Sequence, residues 1–130
     1  LSFAESSVAV VEPATEPMYK SKPMPIPCVL DEKNIRAAIR YGLIGHGWIA
    51  DDTEPGKVKA TLVKGDVKLV IAMPFNDQVV NIVYDSSENM GYAKAEDGTE
   101  QIAYNYNRWI KTVVKETRRS LKRNCLGRGR

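Results

Sequence analysis

Hydrophobic positions recur with two different periods along this chain, and the switches between them mark out its elements. From Ile102 to Leu121 the residues Ile102, Tyr106, Trp109, Ile110, Val113, Val114 and Leu121 fall on one stripe at about 100° per residue, the period of an amphipathic helix. Asp31 to His46 repeats the pattern with Ile35, Ala38, Ile39, Gly42 and Leu43. Asp31 is a good N-cap, Glu32 suits the first turn, and Gly45 and Gly47 offer C-cap positions. Gly42 sits inside that stripe, where a glycine weakens a helix unless another backbone must come close.

Between these helices the period becomes two. Trp48–Asp52 reads as a first strand. Lys57–Lys64 alternates, with Val58, Ala60 and Leu62 on one face. Val67–Met73 places Val67, Leu69, Ile71 and Met73 together, and Gln78–Tyr84 does the same with Val80, Ile82 and Tyr84. Pro55-Gly56, Gly65-Asp66 and Asn76-Asp77 supply the turns, and Pro74 ends its strand or places it at an edge. Residues 85–100 are polar and read as a long connection.

The pattern predicts an α+β fold, α-β-β-β-β-α: a four-stranded antiparallel meander sheet with two antiparallel helices packed on one face. Residues 28–125 form the single domain. Residues 1–27, with Pro13, Pro17, Pro23, Pro25 and Pro27, read as a disordered or loosely docked tether. Residues 126–130 read as a flexible basic tail, with mobility expected from Asn124 onward.

An even number of meander strands returns the chain to the end of the sheet where it began. The start of the first helix then lies beside the end of the last. Cys28 and Cys125, the two cysteines, stand at those positions, so a Cys28–Cys125 disulfide is expected, and with it an oxidising compartment. Leu1-Ser2-Phe3-Ala4 fits the end of a signal peptide, with Ser2 and Ala4 as the small residues before a cut. The expected location is periplasmic or envelope-associated, after export.

Charge is unevenly shared. Residues 108–130 carry nine Lys and Arg against Glu116 alone, while residues 1–107 are net acidic, and the whole chain is +3. Lys111, Lys115, Arg118, Arg119, Lys122 and Arg123 fall opposite the apolar stripe of the final helix. Such a face can meet an anionic surface, lipid head groups included. No run approaches the roughly 18–20 apolar residues a membrane span needs.

Several short motifs in order carry a resemblance: Ala38-Ile39 and Gly42-Leu43 before Gly47-Trp48; Pro55-Gly56 before Ala60-Thr61-Leu62; Ser87-x-Asn89-Met90-x-Tyr92; and Tyr106-Asn107-Arg108-Trp109-Ile110. Over residues 32–121 the chain resembles a family of small bacterial envelope lipoproteins of unknown function. The resemblance implies an envelope location and a helix–sheet–helix domain, and no activity. The family often has histidines where Gly65-Asp66 and Ala103 stand here, so no role for them carries over.

Little in the chain carries chemistry. His46 is the one histidine, and it lacks Cys, Asp or Glu at ligand spacing. Asp51, Asp52 and Glu54 crowd one hairpin end without an EF-hand pattern. Asp85, Glu88, Glu96, Asp97 and Glu100 read as loop solvation before acid–base catalysis. No cofactor, metal or enzymatic activity is implied, and a small hydrolase lacks a nucleophile–base pair.

The sheet face away from the helices should show Lys59, Thr61, Val63, Lys68, Val70, Ala72, Val79, Asn81 and Val83, rather apolar for a solvated face. The leading expectation is a non-enzymatic envelope domain that binds another protein or an envelope component through that face. The alternative is an anionic membrane surface met by the basic helix face. Nucleic acid is disfavoured, because the open face lacks the aromatic pair on which RNA bases stack.

Overall fold

The computed structural model describes residues 13–128. The first helix, α1 (Glu32–Ile44), begins where Asp31 accepts a hydrogen bond from the Asn34 amide at 2.9 Å and ends at Gly45, and it buries Ile35, Ala38, Ile39, Gly42 and Leu43. Strands β3 (Ile49–Asp51), β4 (Lys57–Lys64), β5 (Val67–Pro74) and β7 (Val83–Glu88) form an antiparallel sheet in that order. The last helix, α2 (Tyr104–Arg128), completes the α+β domain.

The core lies between the helices and one face of this sheet. Val58, Ala60 and Leu62 of β4 and Leu69, Ile71 and Met73 of β5 are buried there with Ile110, Val113 and Leu121 of α2. The helices run antiparallel, since Gly42 near the end of α1 meets Thr117 while Cys28, ahead of α1, is bonded to Cys125. The Cα atoms of that disulfide are 5.7 Å apart.

Four boundaries differ from the sequence expectation. The fourth sheet strand is Val83–Glu88, not Gln78–Tyr84. Val79–Val80 is instead β6, paired with β2 (Met24–Pro25), and the Asn81 amide bonds the Pro74 carbonyl at 2.8 Å, so the chain turns before it joins β5. The polar connection is partly ordered as β8 (Ala93–Lys94) and β9 (Glu100–Ala103), so Ile102 is buried in a strand and the helix starts two residues later.

Residues 13–27 are not a free tether. Strand β1 (Thr15–Pro17) pairs with β9, and Met24 is 0% exposed. Proline suits such an edge, because it is already extended and the free side needs no N–H. Buried Asn107 fixes this strap: it accepts the Tyr19 amide at 2.8 Å and donates to Glu16 at 2.6 Å and to the Pro17 carbonyl at 2.9 Å. The remainder of the expected tether, including Leu1-Ser2-Phe3-Ala4, lies outside the described residues.

The predicted basic tail is helix as far as Arg128. Cys125 is tied to Cys28 and Asn124 donates to the Ser120 carbonyl at 3.0 Å, so the last turns have anchors that composition does not reveal. Residues 129 and 130 lie outside the description. No helix among the described residues is long and apolar enough to cross a membrane.

Candidate functional site

Three surfaces invite a functional reading. The first is the outer face of α2. Lys111, Lys115, Arg118, Arg119, Lys122 and Arg123 are all exposed on it, joined by Arg108. At 100° per residue they occupy a stripe about 140° wide, and from residue 108 to 123 it runs about 24 Å along the axis. Arg119 faces Glu116 at 3.6 Å, Lys111 stands 5.2 Å from the Tyr19 ring centre, and Arg108 stands 5.3 Å from that of Tyr104. Lys115, Arg118, Lys122 and Arg123 have no ionic partner among the described residues. A groove beside the stripe is lined by Tyr41, Ser120, Arg123, Asn124 and Gly127, and both Tyr41 and Leu126 are exposed.

The second surface is the open sheet face. Strand register sets Ile49, Thr61, Val70 and Ser86 in one row, Asp51, Lys59, Ala72 and Val83 in the next, and Val63, Lys68 and Glu88 in a third. Seven of the expected residues, Lys59, Thr61, Val63, Lys68, Val70, Ala72 and Val83, therefore share this face. Asn81 does not, because it sits in the turn between β6 and β7, and Val79 pairs with Pro25 instead. Ile49, 70% exposed, belongs to the face and was not anticipated. Its signal was present, since Ala50 turns inward and its neighbour must point the other way.

The third surface was not anticipated. A cavity of about 180 Å³ lies where the strap passes the start of β7, with Tyr19, Lys20, Val83, Tyr84, Glu100 and Tyr106 in its lining. Glu100 accepts hydrogen bonds from the Lys20 ammonium and from the Tyr92 hydroxyl. Tyr84 stacks on Tyr92 with ring centres 4.4 Å apart and meets the edge of Tyr106 at 6.0 Å, and its hydroxyl pairs with Ser87 at 2.7 Å. The Lys20 ammonium, followed by the Tyr92 hydroxyl, holds the Glu100 carboxyl below its ordinary value. The bond to Glu100 pushes the Tyr92 phenol up to about 12. Burial raises Tyr106 and Tyr84, and the Ser87 bond opposes the rise at Tyr84. The signals in the chain were weak: Met18-Tyr19 is an apolar pair among prolines, and Glu100 looked like one more loop carboxylate.

The acidic hairpin end has structural partners. Arg36 donates to the carbonyls of Asp52 at 2.8 Å and Glu54 at 2.7 Å, Arg40 pairs with the Asp52 carboxylate, and Asp51 holds Thr53. Among the described residues no three His, Cys, Asp or Glu side chains gather as a metal-binding group. His46 is exposed, and its amide caps the end of α1 on Leu43.

Compared with protein-family models, with curated proteins and with solved structures, the chain matches none.

Proposed function

We propose that this domain is a non-enzymatic binding module of the bacterial envelope that rests on an anionic membrane surface through the outer face of α2. One observation carries the reading: Lys115, Arg118, Lys122 and Arg123 are exposed and lack ionic partners among the described residues. A helix face built only for solvation intersperses acids and bases at four-residue spacing. Here Lys111 and Lys115, Lys115 and Arg119, Arg118 and Lys122, and Arg119 and Arg123 are like-charge pairs at that spacing, each unfavourable by about 0.2–0.5 kcal/mol. An anionic surface relieves that repulsion. Exposed Tyr41 and Leu126 beside the stripe give apolar contacts at the depth of lipid head groups. The disulfide fits an exported protein, and the motif series that resembles the envelope lipoproteins supports a periplasmic or envelope-associated site.

The test is co-sedimentation with vesicles of phosphatidylglycerol and phosphatidylcholine, set against phosphatidylcholine alone, over a salt series. Binding should require the anionic lipid and fall steeply with salt. Replacing Lys115, Arg118 and Lys122 by Gln together should weaken it roughly 100-fold, at about 1 kcal/mol per charge. No difference between the two vesicle types at low salt would refute the reading.

The open sheet face supports a second reading, docking of an envelope protein, because Ile49, Val63 and Val83 are 70%, 57% and 50% exposed on it. Val70→Glu should then weaken capture of that partner while thermal unfolding stays cooperative. Unchanged capture would remove the face from consideration.

A further inference from the structure

We infer that the cavity between the strap and the start of β7 is a binding site for an organic ammonium or guanidinium group, the kind carried by a small alkylamine or by a Lys or Arg side chain. This is separate from the basic face of α2 and does not depend on it.

Four features define the chemistry. The Glu100 carboxylate offers negative charge, and its side chain is 13% exposed. The Tyr84 and Tyr19 rings line the same space, and aromatic faces attract cations. Tyr106 lines the cavity while only 2% exposed, and its hydroxyl has no hydrogen-bond partner among the described residues. Finally, among the described residues Glu100 is the one acid in the lining and Lys20 the one base, so a cation that displaces the Lys20 ammonium meets a carboxylate with no other charged partner in the cavity wall.

Lys20 shows the mode of recognition and competes with it. Its ammonium already rests on Glu100 Oε1, yet its side chain is 68% exposed. An exposed ion pair of this kind is weak and exchanges readily. An incoming ammonium takes its place on Glu100, lies against the Tyr84 ring and donates to the Tyr106 hydroxyl. The volume, about 180 Å³, holds roughly six waters at about 30 Å³ each, which suits a group the size of butylamine. Val83 belongs both to the cavity lining and to the open sheet face, so a side chain inserted here would come from a chain lying across that face.

The experiment is an NMR titration of the whole protein with butylammonium, with a blocked Gly-Lys-Gly peptide, and with butanol as the uncharged control. Saturable shifts confined to Tyr19, Tyr84, Glu100 and Tyr106 are expected from both cations and not from butanol. Tighter binding of the peptide would assign the site to a partner's side chain, and tighter binding of butylammonium to a free amine. Lys20→Ala should tighten binding up to about fivefold by removing the competitor, and because Lys20 is exposed the variant keeps the fold. Glu100→Gln should weaken binding about tenfold or more, with an otherwise unchanged amide spectrum. No saturable shift in Lys20→Ala, or equal response to butanol, would overturn the assignment.

Discussion

Gly42 of α1 and Thr117 of α2 pack at backbone distance: a Cβ at position 42 would stand 3.0 Å from both the Cα and the nitrogen of Thr117, and 2.5 Å from its hydroxyl oxygen. The helix pair closes at this point because residue 42 has no side chain. Gly42→Ala gains helix propensity but must push the helices apart, and overpacking costs about 1–3 kcal/mol. Denaturant unfolding should show a net loss of stability. Thr117→Ala should recover part of it and not all, because the 3.0 Å clash is with backbone.

The disulfide joins residues 97 apart in sequence. Closing so long a loop restricts the unfolded chain, and the entropy model gives about 4–5 kcal/mol. Cys28→Ser with Cys125→Ser should lose up to that amount. Alkylation without reductant should leave the intact mass unchanged, and two added alkyl groups would contradict the bond.

Asn107 is buried and makes three hydrogen bonds to residues 16–19. Asn107→Ala leaves the Tyr19 amide without its acceptor and should cost about 1–3 kcal/mol. Hydrogen exchange should quicken first at β1 while the β4–β5 ladder stays protected. Equal acceleration in both would mean that the strap and the sheet open together.

Glu100 gives the fold an acid-sensitive element. Its carboxyl is held below the ordinary 4.5, so the unfolded chain takes up the proton more readily than the folded one. The stabilisation is complete above that value and is lost as pH falls below it toward the folded value. The stability advantage of the native chain over Glu100→Gln should therefore be full near neutral pH and shrink as pH falls through and below 4.5. Tyr92 works in the opposite sense, since its raised phenol stabilises below 10.0 and ceases to as pH passes about 12. An advantage over Glu100→Gln that does not vary with pH would show that Glu100 acts through packing alone.

Most of the architecture was written in short-range periodicity. The apolar stripe through Ile35, Ile39 and Leu43 and the alternation through Val58, Ala60 and Leu62 each state a face, and those faces meet in the core. Elements decided by long-range pairing were not legible. Nothing local distinguishes Thr15–Pro17 from a free proline-rich segment, because what makes it a strand is β9 and the Asn107 side chain far along the chain. The bulge between Val70 and Ile71, which sets how Val83–Glu88 joins the sheet, has no sequence mark of its own either. The candidate sites divide in the same way. The basic stripe and most of the sheet face follow from period alone, whereas the cavity needs the strap, β7 and β9 to come together.

The bond between Cys28 and Cys125 also decides how the domain bears a load. Tension applied between the two ends of the chain passes from Cys28 directly to Cys125 and bypasses the ring of residues between them. Pulling can peel β2 and β1 from their neighbours and unwind the last turn of α2, and extension then stops. The sheet, α1 and nearly all of α2 remain slack inside the ring, so a domain held at one end and loaded at the other keeps its sheet face and the basic face of α2 folded, while the cavity under the strap, which needs Tyr19 and Lys20, opens.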